Sequence, residues 1–228
     1  MIVFIKTSRM VVAIVFLVAS CIGQEVNGGP YFVSEVLSKA HISGSLSYWG
    51  RGICNSANQY YPLAPALRKP KDMSDTPLEV LREMFAGDSK MEVTQDSDGI
   101  MRMFEKDVPK DLLDVKIHHL SFGASEDRDS IWHGPNMALR KILSAPEVVS
   151  FRKAHKIGPF SGVHLAPPDA GSNKRSVSGE LNEVTVSEAL DYILKTFPGL
   201  WIYGNCQSEG IGEERNVYFW FYENGPVR

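Results

Sequence analysis

Residues 182–204 read NEVTVSEALDYILKTFPGLWIYG, and they decide how the chain is read. Val186, Ala189, Leu190, Ile193, Leu194 and Phe197 recur at helical spacing and form one apolar stripe. Thr185 and Glu188 stand three apart just before that stripe. This is a capping box, in which hydroxyl and carboxylate satisfy backbone amides that a helix start leaves open. Pro198-Gly199 then stops the helix. The spacing predicts a helix over 186–197, a strand over Leu200–Tyr203 and a second strand over Val217–Tyr222. A Gly- and Glu-rich loop joins the two strands.

The second strand carries five aromatics in a row, Tyr218-Phe219-Trp220-Phe221-Tyr222. Alternation sends Phe219 and Phe221 to one face and Tyr218, Trp220 and Tyr222 to the other. Phe219 and Phe221 suit a core against Ile193 and Phe197. The other face is either a second buried layer or a candidate partner surface, because Tyr and Trp bury area while keeping a polar tip.

Weak self-similarity extends upstream. VSEVL at 33–37 parallels VSEAL at 186–190, and each precedes an aromatic strand, a Gly and a Cys: Tyr48-Trp49-Gly50 with Cys54, and Trp201 to Gly204 with Cys206. LEVL at 78–81 and NMAL at 136–139 are shorter echoes. Thr76-Pro77-Leu78-Glu79 repeats the capping signal with Pro in the first turn, and places Leu78, Leu81 and Phe85 inward. Ser144 to Glu147 reads as a third capping box. Asp96-Ser97-Asp98-Gly99 is a hairpin turn between strands 91–95 and 100–105. Leu113, Val115 and Ile117 alternate on one further strand, and Val177, Gly179 and Leu181 on another. Helices and hairpins in this order imply an α+β fold, with helices packed on mainly antiparallel sheets.

The first residues have the layout of an export signal. Lys6 and Arg9 precede MVVAIVFLVA at 10–19, and small residues follow. Ten apolar residues are short for a membrane span, which needs about 20. Val18-Ala19-Ser20-Cys21 resembles the lipobox of bacterial lipoproteins, which implies lipidation at Cys21; plain cleavage before Gln24 is the alternative. Removing the signal takes away Lys6 and Arg9 and no acid, so the net charge of −3 becomes −5. A mildly acidic chain without a basic stripe argues against a nucleic-acid partner, and leaves a lipid at Cys21 as the membrane contact. With Cys21 lipidated or lost, Cys54 and Cys206 remain as an even pair. In an exported chain that suggests a disulfide.

These signals divide the chain into an export signal (1–20), a tether (21–30) and a helix–strand segment with a Pro-rich loop (31–75). A strand–helix–hairpin module (76–124), a helical connector and loop (125–175) and a second module (176–228) follow. The segment 176–223, above all Asn182 to Leu194, resembles the short N-terminal domain of secretins and TonB-dependent receptors, and 76–105 looks like a poorer copy. The resemblance implies a small periplasmic interaction module that contacts other envelope proteins. Nothing after residue 223 resembles a barrel or secretin core.

No GxSxG, HExxH, P-loop or GxGxxG occurs, so no catalytic residue, cofactor or metal ligand is assigned. His118-His119 is the most tempting pair. As neighbours on a strand they are expected on opposite faces, where they cannot share one metal. The expectation is an exported, non-enzymatic interaction or scaffold module. The alternatives are a small extracytoplasmic hydrolase and a stability factor for an outer-membrane secretin or barrel.

Overall fold

The computed structural model describes residues 29–54, 67, 68, 70, 72, 75–123, 134–158, 176–208, 212 and 214–224, with backbone only for 51–54 and 208. The export signal, Cys21, most of the tether and nearly all of both long loops lie outside the described residues.

The chain is α+β. In order it forms α1 (Gly29–Lys39), β1 (Gly44–Cys54), α2 (Pro77–Phe85), β2 (Met91–Gln95), β3 (Met101–Glu105), β4 (Lys116–Phe122), α3 (Pro135–Leu143), α4 (Pro146–Ala154), β5 (Gly179–Thr185), α5 (Val186–Thr196), β6 (Gly199–Ser208) and β7 (Arg215–Glu223). Five strands make one sheet in the order β2-β3-β1-β6-β7, and β4 pairs with β5 in a separate ribbon. Strand β1 lies parallel to both neighbours, while each hairpin is antiparallel within itself. The two segments read as separate modules therefore contribute to a single sheet, with β1 between them.

Local chemistry explains the elements. In α2 and α5, Thr76 with Glu79 and Thr185 with Glu188 form complete capping boxes. Ser144 and Glu147 do not. Helix α4 starts on Pro146 with Ala145 as its N-cap and has no side-chain cap bond. Ser144 instead closes α3, its hydroxyl donating to the Lys141 carbonyl at 3.0 Å. The β2–β3 turn is held by Asp96, whose Oδ1 accepts the amides of Asp98 and Ile100, while Gly99 takes φ +81°. At Gly199 a Cβ would collide with the Tyr222 carbonyl, so only glycine lets β6 approach β7 there.

Two apolar clusters lie on opposite faces of the sheet. One joins α1 and α2 to Leu46, Tyr48, Met101, Met103, Leu200 and Ile202. The other joins α3, α4, α5 and the β4–β5 ribbon to Trp201, Tyr203, Val217, Phe219 and Phe221. The architecture is thus a sheet covered by helices on both sides.

Candidate functional site

Strand β7 runs against β6 without a register break, from Gly199 opposite Glu223 to Gln207 opposite Arg215. Phe219 and Phe221 are buried in the same cluster as Ile193 and Phe197 of the α5 region, on the face their alternation predicts. Tyr218, Trp220 and Tyr222 do not form an open partner surface. Tyr218 is buried, and Trp220 and Tyr222 are half-buried against the cluster built by α1 and α2. The tyrosine–tryptophan face is the second buried layer, because the N-terminal helices cover it.

Cys206 is buried in β6 and is disulfide-bonded. The two strands that carry Cys54 and Cys206 are direct neighbours. Their register is regular from Gly44 opposite Leu200 to Trp49 opposite Asn205, then resumes with Ile53 opposite Gln207 and Cys54 opposite Ser208. Three residues of β1 (50–52), two of them glycines, thus stand against the single residue Cys206 in a bulge.

Arg102 of β3 is the centre of a polar cluster. Its guanidinium makes a bidentate pair with Asp191 of α5, both bonds at 2.8 Å, and also holds Asp96 of its own hairpin at 2.6 Å. The Trp201 indole donates to the same Asp191 at 2.8 Å, and Arg102 Nη1 reaches the Ser45 hydroxyl at 3.4 Å. Burial alone would raise the Asp96 carboxyl; the Ile100 and Asp98 amides and the Arg102 charge outweigh it and hold that group below its usual range. This cluster ties the N-terminal hairpin to the C-terminal helix. A second ion pair, in which Arg215 Nη2 donates to both Asp111 oxygens at 2.6 and 2.7 Å, ties β7 to the segment before β4. Nearby, burial pushes the Tyr203 phenol up to about 12, and its hydroxyl donates to Asn205 Oδ1 at 3.3 Å. That phenol is a core donor and stays protonated at neutral pH.

The β4–β5 ribbon carries a group of exposed titratable side chains. Ile117 and Leu120, an odd and an even position, are both buried in one cluster, while His118 and His119 between them are both exposed. Burial does not alternate across this pair. Opposite it, Glu183 adopts φ +54°, a left-handed conformation costly for a non-glycine residue. The buried positions of β4 pass from odd to even across this pair, from Ile117 to Leu120 and Phe122. His118 Nδ1 lies 2.7 Å from Glu183 Oε1, and His119 Nδ1 lies 2.9 Å from Asn182 Oδ1. Lys116 Nζ holds the other oxygen of Glu183 at 3.0 Å, and the His118 amide donates to Glu147 Oε1 of α4 at 3.2 Å. The His118 ring bond, first, and the Lys116 bond hold the Glu183 carboxyl below its ordinary value. The sequence offered one signal for this site, the adjacent histidines. The left-handed Glu183 had none.

Among the described residues no three His, Cys, Asp or Glu side chains converge as a metal cage, and no helix is long and apolar enough to cross a membrane. Compared with known proteins, the chain matches no family model, no curated protein and no solved structure.

Proposed function

We propose that this protein is an exported, non-enzymatic interaction or scaffold module of the cell envelope, held in the periplasm or at the outer membrane. The observation that carries the reading is the succession β5–α5–β6–β7 over 179–223. It is the strand, capped helix and hairpin expected of the secretin and TonB-receptor short domain, in the segment where the resemblance lies. The apolar leader with Lys6 and Arg9 supports export, and Val18 to Cys21 supports a lipid anchor at Cys21. The neighbouring strands β1 and β6 support Cys54 as the disulfide partner of Cys206. The polar clusters support the non-enzymatic reading, since the arginines of β3 and β7 are engaged by carboxylates that fasten the fold.

Affinity capture of the tagged full chain from cell envelopes, after mild crosslinking, tests this. The expected result is one envelope protein recovered in stoichiometric yield and lost when the leader is deleted. Recovery of no partner, together with turnover of an ester, peptide or glycoside library, would overturn it in favour of a hydrolase. If the captured protein is a barrel or secretin whose level falls when this chain is deleted, the module acts as that machine's stability factor.

A further inference from the structure

We propose that the carboxyl end of the three parallel strands holds a binding site for an uncharged saccharide, floored by Trp49 and Asn205. Topology gives the location. Strands β3, β1 and β6 run parallel, so their carboxyl ends share one edge of the sheet. From β1 the chain proceeds to α2 on one face. From β3 it proceeds to Val108, Leu112 and Leu113, in the cluster on the other face. Adjacent strands whose exits part to opposite faces make a topological switch point, the crevice where open sheets bind ligands. The β1–β3 ladder ends there, at Ser47 opposite Phe104, and the Trp49 amide donates instead to the buried Glu105 carboxylate at 2.8 Å.

Register places Trp49 beside Asn205, and Ser47 between Phe104 and Tyr203, all on the face that carries Trp201. The Tyr203 hydroxyl donates to Asn205 Oδ1 at 3.3 Å. Asn205 is fully buried, and its Nδ2 finds no hydrogen-bond partner among the described residues. An orphaned buried donor costs stability, which an acceptor on a ligand restores. A strap passes above this floor. Lys110 Nζ lies 4.1 Å from the Phe104 ring centre of β3, and the next residue, Asp111, is held by Arg215 of β7. The backbone at 110–111 therefore crosses over β1 and β6, which lie between β3 and β7. Arg215, Asp111 and Asp114 all act electrostatically on the Tyr203 phenol, which sets them over the same row.

The residues define the ligand class. Half-buried Trp49 stands next to the orphaned amide in register. An indole stacks on the C–H face of a sugar ring, while a ring hydroxyl or acetamido oxygen accepts from an amide N–H. Ionic side chains around the crevice pair with one another, Arg215 with Asp111, Lys90 with Asp107 and Lys106 with Glu92, which favours an uncharged ligand. Saccharide binding here is additional to the protein contacts proposed above and does not depend on them.

The test titrates the whole mature chain with two probes, an N-acetylglucosamine trisaccharide and maltotriose, read by calorimetry and saturation-transfer nuclear magnetic resonance. The expected result is one saccharide per chain for at least one probe. Trp49→Ala and Asn205→Ala should each weaken binding by about tenfold, the scale of one lost contact to a buried group. Asn205→Asp keeps the side-chain size and the acceptor for Tyr203 but removes the donor, and should weaken it as much. Tyr31→Ala, exposed and on α1, should change nothing. Thermal melts check that each variant folds, and Trp49→Ala decides the matter if the Asn205 variants do not. Binding of neither probe overturns the proposal, as does unchanged affinity in Trp49→Ala or in a folded Asn205→Asp.

Discussion

The two units α2–β2–β3 and α5–β6–β7 begin alike and end differently. Both open on a Thr-x-x-Glu capping box, run one amphipathic helix and turn into a hairpin. The first hairpin is one-sided. Met91, Val93, Met101 and Met103 face its own helix, and the other face carries Glu92, Thr94, Arg102 and the half-buried Phe104. The second is buried on both sides, with Leu200, Ile202 and Tyr218 towards α1 and α2, and Trp201, Phe219 and Phe221 towards α5. Their helices therefore lie on opposite faces of one sheet. Identical start signals specify a helix and its cap; the side that helix covers is chosen by the apolar parity of the strands that follow.

That contrast predicts unequal costs for comparable substitutions. Phe219→Ala should lower stability by about 3–5 kcal/mol, as expected for a core aromatic, and Trp220→Ala by about 3 kcal/mol from the other face of the same strand. Phe104→Ala, on the open face of the first hairpin, should lose only about 1 kcal/mol. Urea denaturation of the three variants checks the order, and equal losses at Phe104 and Phe219 would break the comparison.

The next largest effect is expected at the join between the halves. Reducing the Cys206 disulfide, or Cys206→Ser, should cost about 3–5 kcal/mol if the bond closes the long loop back to Cys54. Peptide mapping under non-reducing conditions should recover a Cys54–Cys206 pair, and a peptide linking Cys206 to Cys21 would refute that assignment.

Arg102→Met, which strands Asp191 and Asp96 in a partly covered site, should lose about 1–2 kcal/mol after allowing for solvent screening. The pH dependence follows from Asp96. Its folded pKa is depressed, so its contribution is full above the unfolded value of about 3.9 and is lost as pH falls through the lower folded value. A melting-temperature profile should fall below about pH 4, and this part of the fall should vanish in Asp96→Asn. The smallest effects belong to the caps. Thr76→Ala and Thr185→Ala should each cost about 1 kcal/mol, and by the same amount, since the start signals are the same. Ser144→Ala should cost less, as that hydroxyl caps no helix start.

Much of this was legible in the sequence. The helical stripe of α5, both threonine caps, the Asp96–Gly99 turn and the facing of Phe219 and Phe221 follow from spacing of 3.6 or 2 and from side-chain chemistry within a few residues. What was not legible depends on distant partners. That α1 and α2 cover Trp220 depends on β1 entering between β3 and β6 in parallel, a pairing no local signal encodes. Ser144 looks like a cap because α3 and α4 are nearly contiguous, and the hydroxyl serves the helix that ends, not the one that begins. The exposure of both His118 and His119, and the left-handed Glu183 across from them, had no local signal either.

The central claim is that one strand, β1, joins the two hairpins into a single sheet. Leu46 stands opposite Met103 on one side and Ile202 on the other. Nuclear Overhauser spectra of the full chain should show Leu46 backbone protons close to both Met103 and Ile202. Contacts from Leu46 to only one of them, with the hairpins otherwise intact, would mean two separate modules and would contradict the account.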